Sequence, residues 1–222
     1  LYNDEHSYGT SGYQGRRVYE TWMQHRDWIE KAFGTAKREC EKALQAIAGN
    51  IAAEEEKIVV FNAATGKRTE RISLKEEGKY CIAEVPEFGY LTLKQKDFLP
   101  CREERKTMQV PPVIENRYYR IAFSENGSLQ SRYDKELGRE LLDPENSYHG
   151  NEAVYTKDNH KSFSVPEKAV FEVITEEGKI TVNVRMQHKE SGAEILQSVS
   201  LAEHEKRIDI DNRLNHVKDM IN

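Results

Sequence analysis

A strand–turn–strand pattern between Ile114 and Lys135 constrains this chain more than any other feature. Tyr119, Ile121 and Phe123 alternate with Tyr118, Arg120 and Ala122, the period of two that buries one face of a strand. Asn126-Gly127 follows, a dipeptide that tolerates the positive φ values of a tight turn. Leu129 to Tyr133 starts the return strand, and Asp134 to Gly138 ends it with a polar, Gly-containing turn.

Residues 13–53 carry a different period. Val18, Trp22, Ile29, Phe33, Ala36, Cys40, Ala43, Leu44, Ile47 and Ile51 fall mostly three, four or seven apart, which predicts a long amphipathic helix. Gly34-Thr35 is its weak point, and Gly49-Asn50 offers a C-terminal stop. One helix cannot bury such a stripe alone, so a bundle or coiled coil is expected, with self-association of a chain that holds only one such helix. Residues 1–12 read as a polar, Gly-rich loop.

After a charged linker the period returns to two. Strands are expected at 57–62, 70–74, 79–85 and 90–95, separated by Gly66, Gly78 and Pro86 to Gly89. Residues 97–112 are charged and Pro-containing; Val110-Pro111-Pro112 is expected to be extended, and a domain boundary is expected there. Beyond the hairpin comes a polar loop, 143–166, and then strands at 169–174, 179–186, 194–201 and 206–212, the last with Ile208 and Ile210 inward. The fold class that follows is α+β, mainly β. A long helix (a bundle segment, 13–54) precedes a small β-sandwich (55–110) and a large antiparallel β-sandwich (111–222). The pattern stops at Asn222 before a closing strand, so truncation is expected.

Composition removes several function classes. The formal net charge is -5, against a dedicated nucleic-acid binder, which needs a basic face. No apolar run reaches the length of a membrane helix. Cys40, Cys81 and Cys101 are far apart and odd in number, which fits neither a disulfide framework nor a zinc finger and points to a reducing compartment.

Few residues suggest chemistry. Asp4-Glu5-His6 is the one suggestive cluster, although a lone His in a polar loop is more often a surface residue than a ligand. Asp134 and Asp143 sit at turn positions where Asp caps backbone. Tyr118 and Tyr119 could stack on a sugar, but such a pair in a strand is more often core. His149-Gly150-Asn151 and His160 lie in the long loop. Gly9 to Gly12 lacks the preceding strand and following Lys of a phosphate loop. Asn126-Gly127-Ser128 matches a glycosylation sequon, but the hairpin turn accounts for it.

Three ordered stretches carry a resemblance. Glu115 to Asp143, with its paired tyrosines, Gly127-Ser128-Leu129, Tyr133-Asp134-Lys135 and Arg139 to Asp143, resembles the entry into the C-terminal β-sandwich of family 38 glycoside hydrolases, the α-mannosidases. Ile58 to Thr69 (IVVFNAATGKRT) is similar to a strand that precedes it in that family, and Asp4 to Gly9 to the end of its catalytic domain. The resemblance implies a mutarotase-like sandwich and a retaining α-mannosidase of mannose metabolism. Such an enzyme uses a carboxylate nucleophile, a carboxylic acid and one zinc ion that clamps sugar hydroxyls. It implies His6 as a zinc ligand. The other zinc ligands and both catalytic carboxyls would come from a barrel domain upstream, so residues 1–12 would be that domain's tail and no catalytic residue would lie in this chain. The implied substrate is an α-mannoside oligosaccharide or glycan, and the implied location is the cytoplasm of a bacterial-type cell. The alternative, from another class, is a non-catalytic carbohydrate-binding or assembly module.

Overall fold

The long helical period is realised as one element, α1 (Arg16–Asn50, 35 residues), in a computed structural model that describes residues 16–52, 57–157 and 162–215. Gly34-Thr35 does not interrupt it. It ends at Asn50 rather than 53, where the Asn50 amide donates to Ala46 O at 2.9 Å. Its polar face is laced by Arg26–Glu30, Lys31–Asp27 and Lys42–Glu39 pairs, each three or four residues apart as on neighbouring turns of a helix. Ile29, Phe33 and Ile47 are exposed. α1 belongs to the first of two compact units, Leu1–Val59; the second is Val60–Asn222.

Sixteen short strands follow among the described residues: β1 (Ile58–Asn62), β2 (Arg68–Leu74), β3 (Lys79–Val85), β4 (Gly89–Leu93), β5 (Leu99–Pro100), β6 (Glu103–Met108), β7 (Val113–Glu115), β8 (Tyr119–Phe123), β9 (Leu129–Asp134), β10 (Arg139–Glu140), β11 (Tyr155–Lys157), β12 (Ser162–Ser164), β13 (Ala169–Glu176), β14 (Lys179–Gln187), β15 (Glu194–Ala202) and β16 (Asp209–Asn215). The molecule is therefore mainly β with one long helix. β1 pairs with β4, β2–β3–β5 form a three-stranded sheet, and β11 pairs with β12. The two large sheets are four-stranded, in the order β10-β9-β8-β7, and five-stranded, in the order β16-β15-β14-β13-β6. Both are antiparallel throughout.

The two large sheets share one apolar core. Ile114, Ile121, Phe123 and Leu129 from the smaller sheet meet Phe171, Val182, Val184, Met186, Ile195, Val199 and Leu201 from the larger. Phe123 and Phe171 pack edge-to-face, 5.9 Å between centroids. The Asn126-Gly127 turn is pressed onto this core: Gly127 has φ +89, and a Cβ there would lie 2.6 Å from a Val184 methyl. Only glycine fits both the backbone angle and the space. The loop spans Ser124 to Ser128, closed by Ser124 N–H to Ser128 O at 2.9 Å and Gly127 N–H to Ser124 O at 3.0 Å. Buried Asn116 ties the hairpin to the β15–β16 turn. Its amide donates to Ala202 O and Glu205 O, while Oδ1 accepts from Tyr118 and Tyr119 N–H.

Three expectations need correction. No strand is expected within the charged stretch 97–112, yet β6 there pairs with β13 from Met108 to Glu103. Every β6 residue but Met108 is exposed. A charged edge strand shows no apolar alternation and blocks further pairing. The loop 143–166 contains the small β11–β12 pair. Ile210 stands opposite buried Val199, so it does share the inward side, yet it is 41% exposed: β16 is the edge strand, and its inward side is not covered there. Ile208 does pack against the core.

Candidate functional site

The richest polar cluster gathers where the hairpin loop meets residues 149–152. Gly150 exchanges two backbone hydrogen bonds with Leu129, at 2.7 and 3.0 Å, and carries the 149–152 loop alongside β9. Glu152, whose side chain is 8% exposed, brackets the two loops together. Its Oε1 accepts from Asn126 Nδ2 at 2.6 Å and its Oε2 from the His149 N–H at 2.8 Å. Asn126 Oδ1 in turn accepts from the hydroxyls of Ser124 and Ser128. His149 Nδ1 lies 3.2 Å from Ser128 Oγ and leaves the rest of a half-exposed ring facing solvent. Asn151, at φ +52, exchanges side-chain hydrogen bonds with Asn212 at 2.7 and 3.2 Å. Its carbonyl accepts from Gln197 Nε2 at 3.0 Å.

This arrangement positions groups and does not perform displacement. A retaining glycosidase needs two carboxyls ~5–5.5 Å apart with free oxygens. The cluster has one, Glu152, and both of its oxygens are occupied. His149 and Asn151 share the long loop, as their sequence positions indicate, while Asn126 joins them from the hairpin turn 26 residues away from Glu152. His160 lies outside the described residues.

Other ionisable groups have structural partners. Asp134 Oδ1 accepts the N–H groups of Glu136 and Leu137, both at 2.9 Å. The Leu137 N–H above all, with that of Glu136 and the Lys206 charge, holds its carboxyl below the usual carboxylate range. Asp143 accepts the Glu145 N–H at 3.0 Å. Both are turn caps, as their sequence positions indicate. Tyr119 packs on the core, and Tyr118 lies under the Arg117 guanidinium, 5.6 Å from its ring centre. His188 is buried. The Ser191 N–H donates to its Nδ1 at 3.1 Å, and Ser164 Oγ lies 3.2 Å from Nε2. A ring that accepts at Nδ1 carries its proton on Nε2 when neutral, so it donates to Ser164 and cannot serve that hydroxyl as a base.

A second charged group joins β2 to the larger sheet, and nothing local in the sequence announces it. Arg71, almost fully buried, donates from Nε to Glu177 O at 2.7 Å and from Nη2 to Cys101 Sγ at 3.0 Å. Its guanidinium lies 4.9 Å over the Tyr80 ring. Next to it lie Glu70 and Glu205, both paired with Arg207. Burial first, then the neighbouring Glu205 carboxyl, pushes the Glu70 carboxyl above its ordinary range, against the pull of Arg207 and Arg68. Arg207 lies 2.7 Å from Glu205 and 3.7 Å from Glu70. One guanidinium holds both carboxylates, so this group is a joint. All three cysteines are free, and burial raises the Cys81 and Cys101 thiols above their usual range.

Residues 114–220 match the model of the glycosyl hydrolases family 38 C-terminal domain. The match spans just under half of the 222-residue chain and supports a family 38 C-terminal part. The matched stretch begins on β7, takes in the hairpin and the His149 cluster, and runs past β16. At the level of the family, the match points to a glycosyl hydrolase of which these residues resemble the C-terminal domain. A search of curated proteins finds no match.

The resemblance to family 38 enzymes implies zinc, and the described residues do not fit it. Among them no group of three or more His, Cys, Asp or Glu side chains could hold a metal ion, and the one carboxylate beside His149 is fully engaged. His6 lies outside the described residues.

Proposed function

We propose that this chain is part of a retaining α-mannosidase, a family 38 enzyme that hydrolyses α-linked mannosides with zinc assistance. The family 38 match over residues 114–220 is the observation that carries this reading. On it, the two sheets that share one core are the large β-sandwich, and β1–β5 correspond to the small one. The nucleophile, the acid and most zinc ligands belong to a barrel domain, with His6 completing the metal shell. The carboxylates followed above suit that division of labour: Asp134 and Asp143 cap turns, Glu152 brackets two loops, and Glu70 and Glu205 lie at a joint.

The test uses the full-length enzyme. It is expected to release mannose from an aryl α-mannoside with retained anomeric configuration, seen by NMR, and to contain one zinc per chain by elemental analysis. His6→Ala is expected to lower zinc content and activity together, by about 10–100-fold, the range seen when a metal shell is weakened. Inversion of configuration, or hydrolysis of other glycosides only, would overturn the mannosidase reading. Unchanged zinc in His6→Ala would remove His6 from the shell.

A further inference from the structure

The outward face of the five-stranded sheet carries a row of polar side chains that local sequence does not reveal. Thr107 pairs with Glu172, Glu172 with Asn183, Asn183 with Ser198, and Ser198 with Asp211. The row crosses all five strands in one register. Their chain neighbours Phe171, Val182, Val184 and Val199 are buried in the core, so strict alternation turns this row outward. With strands ~4.8 Å apart, the row is about 19 Å long. The next row is Val170, Arg185, Leu196 and Arg213. Together the two rows line a groove of about 580 Å³.

An antiparallel sheet ordinarily presents a polar outer face to water. Two features separate this face from that case. The face carries a groove, and Glu172, Asn183, Leu196 and Ser198 are half-buried rather than exposed. The charges that line the groove are also paired with neighbours of opposite sign. Glu172 takes the Asn183 amide at 2.9 Å and faces Arg105 at 3.6 Å, Arg213 lies 3.1 Å from Asp211, and Arg185 lies 3.6 Å from Glu194. A balanced groove has no use for a polyanion, which needs uncompensated cations. It suits a neutral ligand that donates and accepts repeatedly along a line. Carboxylate, carboxamide and hydroxyl in succession offer that pattern, and Val170 and Leu196 beside them offer apolar surface for C–H faces.

We propose that this groove holds a neutral oligosaccharide chain as a non-catalytic contact, several sugar rings long. The choice of sugar as the polyhydroxylated ligand rests on the glycosidase reading; the groove itself rests on register and charge. The probe is an α-linked mannopentaose titrated into the full chain by calorimetry, with backbone NMR to locate the contact. Binding is expected, with shifts on β13 to β16, and Ser198→Trp, which fills the middle of the row, is expected to weaken it by about tenfold or more. If Ser198→Trp does not melt like the parent, the near-isosteric Glu172→Gln and the shorter Asn183→Ser decide instead. No binding at millimolar sugar, shifts elsewhere, or variants that bind like the parent would overturn the proposal and leave the face a solvated or covered exterior. Hydrolysis of a single-ring aryl mannoside by the full-length enzyme reports on the mannosidase reading alone, so either idea can fail without the other.

Discussion

The apolar stripe of α1 and the inward face of the five-stranded sheet are written in the sequence with equal clarity, and they end in opposite environments. Phe171 on β13 is 0% exposed, whereas Phe33 on α1 is 70% exposed. Periodicity states which side of an element is apolar. It does not state what covers that side. The sheet finds its cover in the hairpin strands β8 and β9, which are close in sequence and carry the matching alternation. Among the described residues α1 has no second long helix to meet. β16 stands between the two: Ile210 is on the correct side of the correct sheet and still 41% exposed, because an edge strand has a neighbour on one flank only.

The largest effect that probes this contrast is expected at Phe171. Phe171→Ala removes a ring that packs against Phe123 and leaves a cavity between two sheets that cannot collapse without moving both. The expected loss is about 3–5 kcal/mol, read from urea unfolding monitored by far-UV circular dichroism. A loss below about 1 kcal/mol would mean that the two sheets are not held by this core, and the contrast with α1 would disappear.

What was legible in the sequence follows the same division. The hairpin, β13 to β15 and α1 were readable because each carries a strong period over many residues. β6 was not, since an edge strand of Glu, Arg, Lys and Thr has no apolar side to show. The turn roles of Asp134 and Asp143 were readable, because caps are local. The Arg71 joint and the Glu70–Glu205 contact were not: Glu70 and Glu205 lie far apart in the chain and meet only through the fold. The outward polar row belongs to this second class, since Thr107, Glu172, Asn183, Ser198 and Asp211 line up only once four strand registers are set. His6, the one metal ligand implied by resemblance, lies outside the described residues.

The Glu70–Glu205 joint gives a smaller effect with a sign that can be worked out. The Glu70 carboxyl is held above its ordinary value of 4.5 in the folded chain, so the folded state keeps its proton more tightly than the unfolded state does. The stability linked to that proton is fully present below the unfolded value and is lost as pH rises through the higher folded one. Glu70→Gln keeps a hydrogen-bonding side chain without the titration. Relative to the parent, the variant should therefore gain stability as pH is raised from about 4 to about 7. The gain should stay below about 1 kcal/mol, because solvent screens a partly exposed group. Thermal melts across that range check it. A difference that does not change with pH would mean that the Glu70 carboxyl is not raised in the folded chain.

The smallest effect is expected at Phe33, and it tests the other half of the contrast. If the α1 stripe is bare, Phe33→Ser removes a ring that buries nothing, and stability should change by no more than about 0.5 kcal/mol. Sedimentation velocity gives the second reading. An apolar stripe of this length in water favours self-association, and Phe33→Ser should shift a concentration-dependent equilibrium towards monomer while leaving the melting of the β unit in place. A chain that is monomeric with and without Phe33, and loses more than about 1 kcal/mol in the variant, would place the ring inside a packed contact. The stripe would then be covered within its own chain, and the sheet and the helix would differ only in how plainly their partners can be read.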